Sequence, residues 1–457
     1  MRAATVDSTS GSGARWTNTE GRPLTGQVLL VAATIGGLGW IGWWWANTGL
    51  GRGVGDWLTA GGRITGLLAG YLLAVNVLLM ARIPALERDL GADRLARWHA
   101  TAGRYTVSLI VAHGVLIASG YAVTTRTDLV AQAVSLVLDY PDVLMATAGG
   151  LLLVAVAFVS LRAARRRLRY ETWYYLHLYT YLAVALVFAH VFATGAEFMT
   201  HPAARAVWIL LYLAAAGSVI YYRIATPVIQ AVRHRFTVNA VVPENAEVVS
   251  IVLEGRNVHR LDVKPGQFVR LRFLARGWWW ASHPFSLSAP RHGNLLRVTV
   301  KALGDHTAEV RAIRPGTRVL LEGPYGAFTA DRRTRRRVLL LAGGIGITPL
   351  RSLFHTLPAS AGEVTLIYRA SHDDDLVLRR ELDHLARIRD QTVHFMPGPA
   401  GGPTDVLVGE RLRRLVPDLP DHDAYVCGPR GFTAAATAVL RRAGVPARQI
   451  HTETFAF

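Results

Sequence analysis

Four histidines stand out as residues that could do chemistry: His99, His113, His177 and His190. They fall in two pairs, each inside one long apolar segment, at spacings of 14 and 13 residues. At 1.5 Å rise per residue a 14-residue step covers about 21 Å of helix, near two-thirds of a hydrocarbon core of roughly 30 Å. Each helix would therefore carry one histidine near each face of a membrane. Two such helices side by side could grip two haems, one above the other, His99 with His177 and His113 with His190. Ionisable groups inside a membrane are costly and default to function, and a long spacing repeated in two segments points to iron ligation. One geometric point resists. At about 100° per residue the 14-residue step returns to within about 40° of the same face, whereas the 13-residue step lands about 140° away. The second helix must then bend, or present its haems on different sides.

A second set of motifs lies in the last half of the chain. Leu340-Leu341-Ala342-Gly343-Gly344-Ile345-Gly346-Ile347-Thr348-Pro349 reads as a strand, a glycine turn and a helix start, with Thr348 as the cap and Pro349 as the first helical residue. Such glycines let backbone approach a pyrophosphate, and the helix N-terminus attracts it. Cys427-Gly428-Pro429-Arg430-Gly431-Phe432 repeats the arrangement, and two such turns at strand C-termini make a crevice at the switch point of an open sheet. Upstream, His283-Pro284-Phe285-Ser286-Leu287-Ser288 sets an aromatic ring and hydroxyls in an extended run that could stack on, and hydrogen-bond to, a flat heterocycle. Gly304-Asp305-His306-Thr307 opens a short helix and offers another phosphate site, and Glu322-Gly323-Pro324-Tyr325-Gly326 is a further tight turn.

These residues need elements to hold them. Residues 1–26 are polar and rich in Ser, Thr and Gly, and read as a disordered tail. Six apolar spans follow, about Gln27–Ala46, Arg63–Ile83, Arg97–Val123, Val143–Leu161, Thr172–Thr194 and Ala206–Ile224, each long enough to cross a membrane. Trp40, Trp43, Trp44 and Trp45 close the first span like an interfacial belt. From about Arg235 the period changes to two, with short strands around 236–238, 248–253, 268–273 and 296–300 that suggest a small antiparallel barrel. From Arg337 strands alternate with helices, the pattern of a parallel α/β domain. The expected organisation is therefore a tail (1–26), a transmembrane haem-binding region (27–225), a small antiparallel barrel (235–335) and a nucleotide-binding domain (336–457).

Charge orients the spans. The chain has 457 residues, is 51% hydrophobic and carries a net charge of +18. Such basicity is the reflex mark of nucleic-acid binding, but here the arginines cluster beside apolar spans, which points to membrane lipid instead. Arg82, Arg88, Arg94 and Arg97 follow the second span, and Arg162, Arg165, Arg166, Arg167 and Arg169 the fourth. Loops after the third and fifth hold only Arg126 and Arg205, so the positive-inside rule puts both termini in the cytoplasm, His99 and His177 on the inner side, and His113 and His190 on the outer. The single cysteine, Cys427, excludes an intrachain disulfide framework and a cysteine-ligated iron–sulfur cluster.

Taken together these motifs carry a resemblance. From about Arg235 to Phe457 the chain resembles the ferredoxin-NADP reductase superfamily, and from the first span onward, about 430 residues, it resembles the NADPH oxidase and ferric reductase family. The resemblance implies a six-helix transmembrane bundle with two haems b, an antiparallel β-barrel for FAD and a parallel-sheet domain for NADPH, with NADH as the alternative. It assigns His283, Pro284, Phe285, Ser286 and Ser288 to FAD, Ser286 near the reactive flavin nitrogen, and Gly304 and Thr307 to the FAD pyrophosphate. Gly343, Gly344, Gly346 and Thr348 would bind the nicotinamide nucleotide, with Cys427, Gly428 and Pro429 near the nicotinamide and terminal Phe457 stacked on the flavin. Arg369, at the end of a strand, and Arg379 would take the 2′-phosphate. Trp278-Trp279-Trp280 would meet membrane or inner haem, and Arg104 a haem propionate. Oxygen-reducing members carry an arginine and a histidine above the outer haem. Arg63, at the outer end of the second span, matches the arginine, and Ile117 stands where the histidine would. The implied activity is electron transfer to a small-molecule acceptor outside, oxygen or ferric iron. The second reading is an electron-donating subunit for a quinone or a redox partner protein, and a homo-oligomer fits either.

Overall fold

The computed structural model describes residues 24–49, 51, 53–161, 168, 170–195, 198, 200–276, 278–280, 282–302, 309–402, 405–408 and 410–455. Gly304, Thr307, Phe457, the arginines of the 162–169 run and residues 1–23 lie outside the described residues.

Six helices are long and apolar enough to cross a membrane: Gln27–Asn47, Val54–Leu79, Arg94–Thr125, Val143–Ser160, Thr172–Ala193 and Pro202–His234. Helix is the conformation open to a lone apolar run of this length in lipid, because it satisfies every backbone group internally. In chain order the helices are α1 (Leu24–Asn47), α2 (Val54–Leu79), the short α3 (Pro84–Leu90), α4 (Ala92–Thr125), α5 (Leu129–Asp139), α6 (Val143–Ser160), α7 (Tyr170–Thr194) and α8 (Pro202–Val219). A π-helical turn, Ile220–Ala225, runs on from α8 into α9 (Thr226–His234). The second span begins at Val54 rather than Arg63, so Arg63 sits inside α2 and not at its end. The start is marked by Asp56, whose carboxylate accepts the Gly53 N–H at 3.1 Å. The stretch 55–62 is too rich in glycine and polar residues to read as apolar, but its glycines serve packing. A Cβ on Gly62 would lie 2.7 Å from the Ile117 side chain, and one on Gly120 would lie 2.3 Å from Thr59 Oγ1. Small residues at i and i+4 let two membrane helices approach closely, and α2 runs along α4 in this way, as α6 runs along α7. The tryptophans at the end of α1 differ from the expected belt. Trp40 meets Trp208 at 5.1 Å and Trp44 is buried, so these rings fill the bundle and only Trp45, 64% exposed, faces outward as a belt residue would.

The flavin-binding region forms two three-stranded antiparallel sheets, not one closed barrel. With β1 (Thr237–Pro243), β2 (Val248–Glu254), β3 (Phe268–Phe273), β4 (His283–Ser286), β5 (Leu295–Lys301) and β6 (Val319–Tyr325), the orders are β1-β2-β5 and β4-β3-β6. Single bridges, Thr237 to Arg318 and Leu287 to Val298, are the pairings across the two seams. Four residues in β4 are too few to pair along both of its edges. The alternating faces of both sheets enclose one core around Ile251, Leu253, Leu271, Phe273 and Val298.

The last domain is the expected parallel sheet: β7 (Arg337–Gly343), β8 (Val364–Ala370), β9 (Thr392–Pro397), β10 (His422–Pro429) and β11 (Ile450–Phe455), in the order β11-β10-β7-β8-β9. Helices α10 (Ile347–Thr356), α11 (Arg379–Arg389), α12 (Arg411–Leu415) and α13 (Arg430–Arg442) connect the strands. The continuous apolar runs of β7 and β10 are buried on both faces, as a parallel sheet requires.

The flavin-binding region attaches at the end of the bundle that carries His99 and His177. Arg82, just past α2, pairs with Glu322 of β6. The Gln230 side chain of α9 donates to the Gly323 carbonyl at 2.6 Å, and the Tyr175 hydroxyl of α7 donates to the Trp280 carbonyl at 3.4 Å. The Trp278-Trp279-Trp280 run is thus divided: Trp278 is core, Trp279 is exposed and Trp280 touches the bundle.

Candidate functional site

The four histidines meet in the pairs expected of them. The His99 and His177 ring centroids lie 5.8 Å apart, and those of His113 and His190 lie 6.4 Å apart. A metal ion bound by two imidazoles, each through a bond of about 2 Å, holds the ring centres roughly 6 Å apart once the half-width of each ring is added. The donor set therefore fits an iron with histidine on both sides. The helices of each pair pack on different neighbours, α4 on α2 and α7 on α6, and their imidazoles face each other between them. Helix α7 is continuous from Tyr170 to Thr194, so its two histidines leave it at different angles instead of being realigned by a break.

Helix α2 decides how the α4 imidazoles are presented. His113 Nδ1 lies 2.7 Å from the Gly62 carbonyl and His99 Nδ1 lies 3.3 Å from the Asn76 carbonyl. A carbonyl only accepts, so in each ring Nδ1 carries the proton and donates, which leaves the Nε2 lone pair for a metal. Gly62 and Asn76 stand 14 residues apart, as do His99 and His113, so the antiparallel helix repeats the ligand spacing. The close approach depends on Gly66, where a Cβ would lie 2.6 Å from His113 Nδ1. Between the two levels Asn76 Nδ2 donates to Thr106 Oγ1 at 3.0 Å, tying α2 to α4. His177 stacks on Trp173 at 5.1 Å, one turn earlier in α7, and its Nδ1 is buried with no hydrogen-bond partner among the described residues. Arg104 is exposed and bonds Thr101, and Ile117 packs over Gly62.

In the flavin region, β4 pairs with β3 so that Ser286 faces Phe268 and His283 faces Leu271. Alternation then divides the motif. Phe285 packs into the domain core, while Ser286 Oγ is buried without a hydrogen-bond partner among the described residues. An orphaned buried hydroxyl costs about 1–3 kcal/mol, and a flavin heteroatom would satisfy it, so this residue fits the group. Pro284 is exposed, and the His283 ring lies 6.3 Å from that of Phe285. Ser288 is wholly enclosed, its hydroxyl held by Thr299 at 2.8 Å and Arg297 at 3.1 Å. Arg297 and Arg351 of α10 both reach Glu381 of α11, joining the two soluble domains. Burial works against ionisation of Glu381, but the two guanidiniums outweigh it and hold its carboxyl below the usual carboxylate range.

The two glycine turns of the nucleotide-binding domain abut. A Cβ on Gly346 would lie 2.2 Å from the Cys427 carbonyl, and Gly343 and Gly428 both close onto the Phe432 ring. Gly344 has φ +54 and its α-hydrogen faces open space, as a backbone site for phosphate requires. The helix begins at Ile347, not at Pro349. The 3₁₀ turn Gly344–Gly346 leads into it, so Thr348 lies in the first turn and its hydroxyl bonds the Ile345 carbonyl at 3.0 Å. Cys427 is fully buried, and burial, then Glu453, push its thiol well up, so it stays protonated and packs as a small apolar residue. Pro429, at the end of β10, is exposed. Arg369 is half-buried in an ion pair with Asp405 at 3.2 Å, while Arg379 pairs with Asp373 and lies over the Phe395 ring.

Several contributors carry no sequence motif. The carbonyls of Gly62 and Asn76, the charge of Asp405 and the acid Glu87 are of this kind. Gly62, Gly66 and Gly70, spaced by four, were the one readable sign of a close-packed helix face.

Three family models match the chain in series: a ferric reductase like transmembrane component over residues 65–188, an FAD-binding domain over 233–329 and an oxidoreductase NAD-binding domain over 340–438. The chain has the architecture of the NADPH oxidase and ferric reductase family. It joins a ferric reductase like transmembrane region to an FAD-binding domain and an oxidoreductase NAD-binding domain, with six helices long and apolar enough to cross a membrane. Curated relatives include a 3-ketosteroid-9-alpha-monooxygenase ferredoxin reductase component of Rhodococcus rhodochrous, 30% identical over 235 residues, 48% of this chain and 64% of that protein. An NADPH oxidoreductase of Mycobacterium tuberculosis is 29% identical over 52% of this chain and 63% of that protein. The match spans less than two thirds of the length of either relative. Among solved structures, the flavohem-like FAD/NAD-binding domain of nitric oxide dioxygenase from Vibrio cholerae is 25% identical, covers 49% of this chain and 99% of that one, and has a TM-score of 0.43.

Proposed function

We propose that the protein moves electrons from cytoplasmic NADPH through FAD and two haems b to an acceptor on the far side of the membrane. The observation that carries this reading is the pair of histidine pairs, 5.8 and 6.4 Å between ring centres, with the α4 imidazoles oriented by α2 carbonyls. His99 and His177 would hold the inner haem and His113 and His190 the outer. FAD supplies the exchange between hydride from the nicotinamide and single electrons for the haems. Ser286 would hydrogen-bond the flavin, with His283, Pro284 and Phe285 lining its strand, Gly304 and Thr307 taking its pyrophosphate and Phe457 covering its ring. Gly343, Gly344, Gly346 and Thr348 would hold the nucleotide pyrophosphate and Gly428 and Pro429 flank the nicotinamide, above the buried Cys427. Arg369 and Arg379 would favour NADPH over NADH by exchanging Asp405 and Asp373 for the 2′-phosphate. The arginine-rich loops after α2 and α6 support an orientation with the soluble domains in the cytoplasm.

The acceptor is oxygen or ferric iron in this reading. Arg63, inside α2 next to Gly62, would steady negative charge developing above the outer haem, and Ile117 adds no hydrogen bond there. A second reading, an electron-donating subunit that reduces a quinone or a partner redox protein, is favoured by relatives described as ferredoxin reductase component and reductase subunit.

Replacing His113 with Leu tests the ligand assignment. The expected variant keeps the reduced-haem signal of one haem, loses that of the other, and still reduces FAD with NADPH. A reduced-haem spectrum unchanged from the parent would overturn the assignment.

A further inference from the structure

We propose that Glu87, on α3 between the membrane bundle and the flavin domain, accepts the proton that flavin releases when it gives its electrons to the inner haem. The inference rests on the electron path proposed above. The chemistry requires such a group. Hydride transfer leaves a hydrogen on the flavin, and its reoxidation by two ferric haems yields oxidised flavin, two ferrous haems and one proton. Electrons go on into the membrane, and the proton has to leave through the protein.

Glu87 is placed for this. Helix α3 lies between α4 and β6, with the near end of α1 on its other side. Glu87 Oε2 is buried with no hydrogen-bond partner among the described residues. Three guanidiniums act on the carboxyl, each from a different element: Arg82 after α2, Arg270 in β3 and Arg223 in the π-helical turn. Arg270 reaches back toward the flavin strand, donating to the Ser282 carbonyl at 2.8 Å and standing opposite Pro284. Arg223 reaches toward the inner histidine pair, donating to the Tyr181 hydroxyl at 2.9 Å on α7. Glu87 is thus the acid held between the residues that frame the two cofactors. Charged and titratable groups on the packed elements include Glu322 and Tyr325 of β6, Asp93, Arg94, Arg97, His99 and Arg104 of α4 and Arg88 and Asp89 of α3 itself, while α1 carries no charged residue. Burial raises the carboxyl to about 7, against the pull of Arg82, Arg270 and Arg223. That value suits a group that must both take and release a proton near neutral pH.

The test uses the full-length protein loaded with FAD and haem, with Glu87→Gln and Glu87→Asp beside the parent. Flavin-to-haem electron transfer in the parent should rise about tenfold between pH 6 and pH 8, as a single carboxyl near 7 deprotonates. The Asp variant should keep a rise, the Gln variant should be slow and flat, and NADPH-to-flavin reduction should be unchanged in all three. Infrared titration of the parent should show a protonated carboxyl band disappearing near pH 7, shifted in Glu87→Asp and missing in Glu87→Gln. A Gln variant with the parental rate and pH profile would overturn the role of Glu87 and leave the electron path standing. Should the Gln variant fail to hold its cofactors, the infrared band decides, and its absence from the parent overturns the proposal. A parent whose haems NADPH cannot reduce would overturn the path and this inference together.

Discussion

At the scale of the residue, the haem reading depends on which nitrogen of an imidazole is free. His99 and His113 give their Nδ1 protons to backbone carbonyls of α2 and so turn Nε2 outward. This arrangement is sensitive to a methyl group that touches no ligand. A Cβ at Gly66 would lie 2.6 Å from His113 Nδ1, so Gly66→Ala should push the ring off the Gly62 carbonyl. The expected result is loss of most of the outer haem, read as a halved haem-to-protein ratio, with the inner haem and flavin content retained. Full haem content in Gly66→Ala would show that the ring does not need this support. The four histidines were legible in the sequence because imidazoles at membrane spacing are rare. Their orienting partners were not, because a carbonyl belongs to every residue and Gly62 announces only closeness. Ser286 and Phe285 show the same limit. Both were legible as a motif, but which one faces the core is set by the register of β4 on β3.

At the scale of the element, the joints between domains are made of charge. Glu381 of α11 binds Arg297 of β5 and Arg351 of α10, and its depressed carboxyl pKa makes this joint acid-sensitive. The sign follows from proton binding: the unfolded state binds the proton more tightly, so the joint stabilises above the ordinary range near 4.5 and weakens as pH falls through the lower, folded value. Glu381→Gln should cost roughly 1–2 kcal/mol at neutral pH, less than a fully buried pair because Glu381 is partly exposed. Thermal release of flavin, followed over a pH series, should show a parental midpoint that falls below pH 4.5 and a variant midpoint that is lower at neutral pH and flatter in acid. Equal midpoints would remove the joint from the account. Most elements were legible as runs of period two or as long apolar stretches. Those that were not have physical reasons. β11 runs through four consecutive polar residues, His451-Thr452-Glu453-Thr454, and becomes a strand by pairing in parallel with β10. α5, 11 residues, was too short to read as a span and its place follows from packing on α4 and α6. The expected closed barrel is two sheets because only single bridges, Thr237 with Arg318 and Leu287 with Val298, stand among the described residues where continuous pairing would close it.

At the scale of the whole molecule, the flavin-binding region sits against the end of the bundle with His99 and His177, through Arg82 with Glu322, Gln230 with Gly323 and Tyr175 with Trp280, and the nucleotide-binding domain joins it through Glu381. The order of parts was legible from changes in hydrophobic period, and the matching family models follow the same order. The contacts between parts were not, since they pair residues up to 243 positions apart. The central claim, that electrons cross the membrane by the two histidine pairs, is tested most directly in sealed vesicles. Protein loaded with FAD and haem is inserted with its soluble domains outward, a ferric chelate is enclosed, and NADPH is added outside. The account predicts reduction of the enclosed chelate, and its loss in both His99→Leu and His113→Leu while external NADPH still reduces FAD. Reduction of the enclosed chelate at the parental rate in either variant would contradict it.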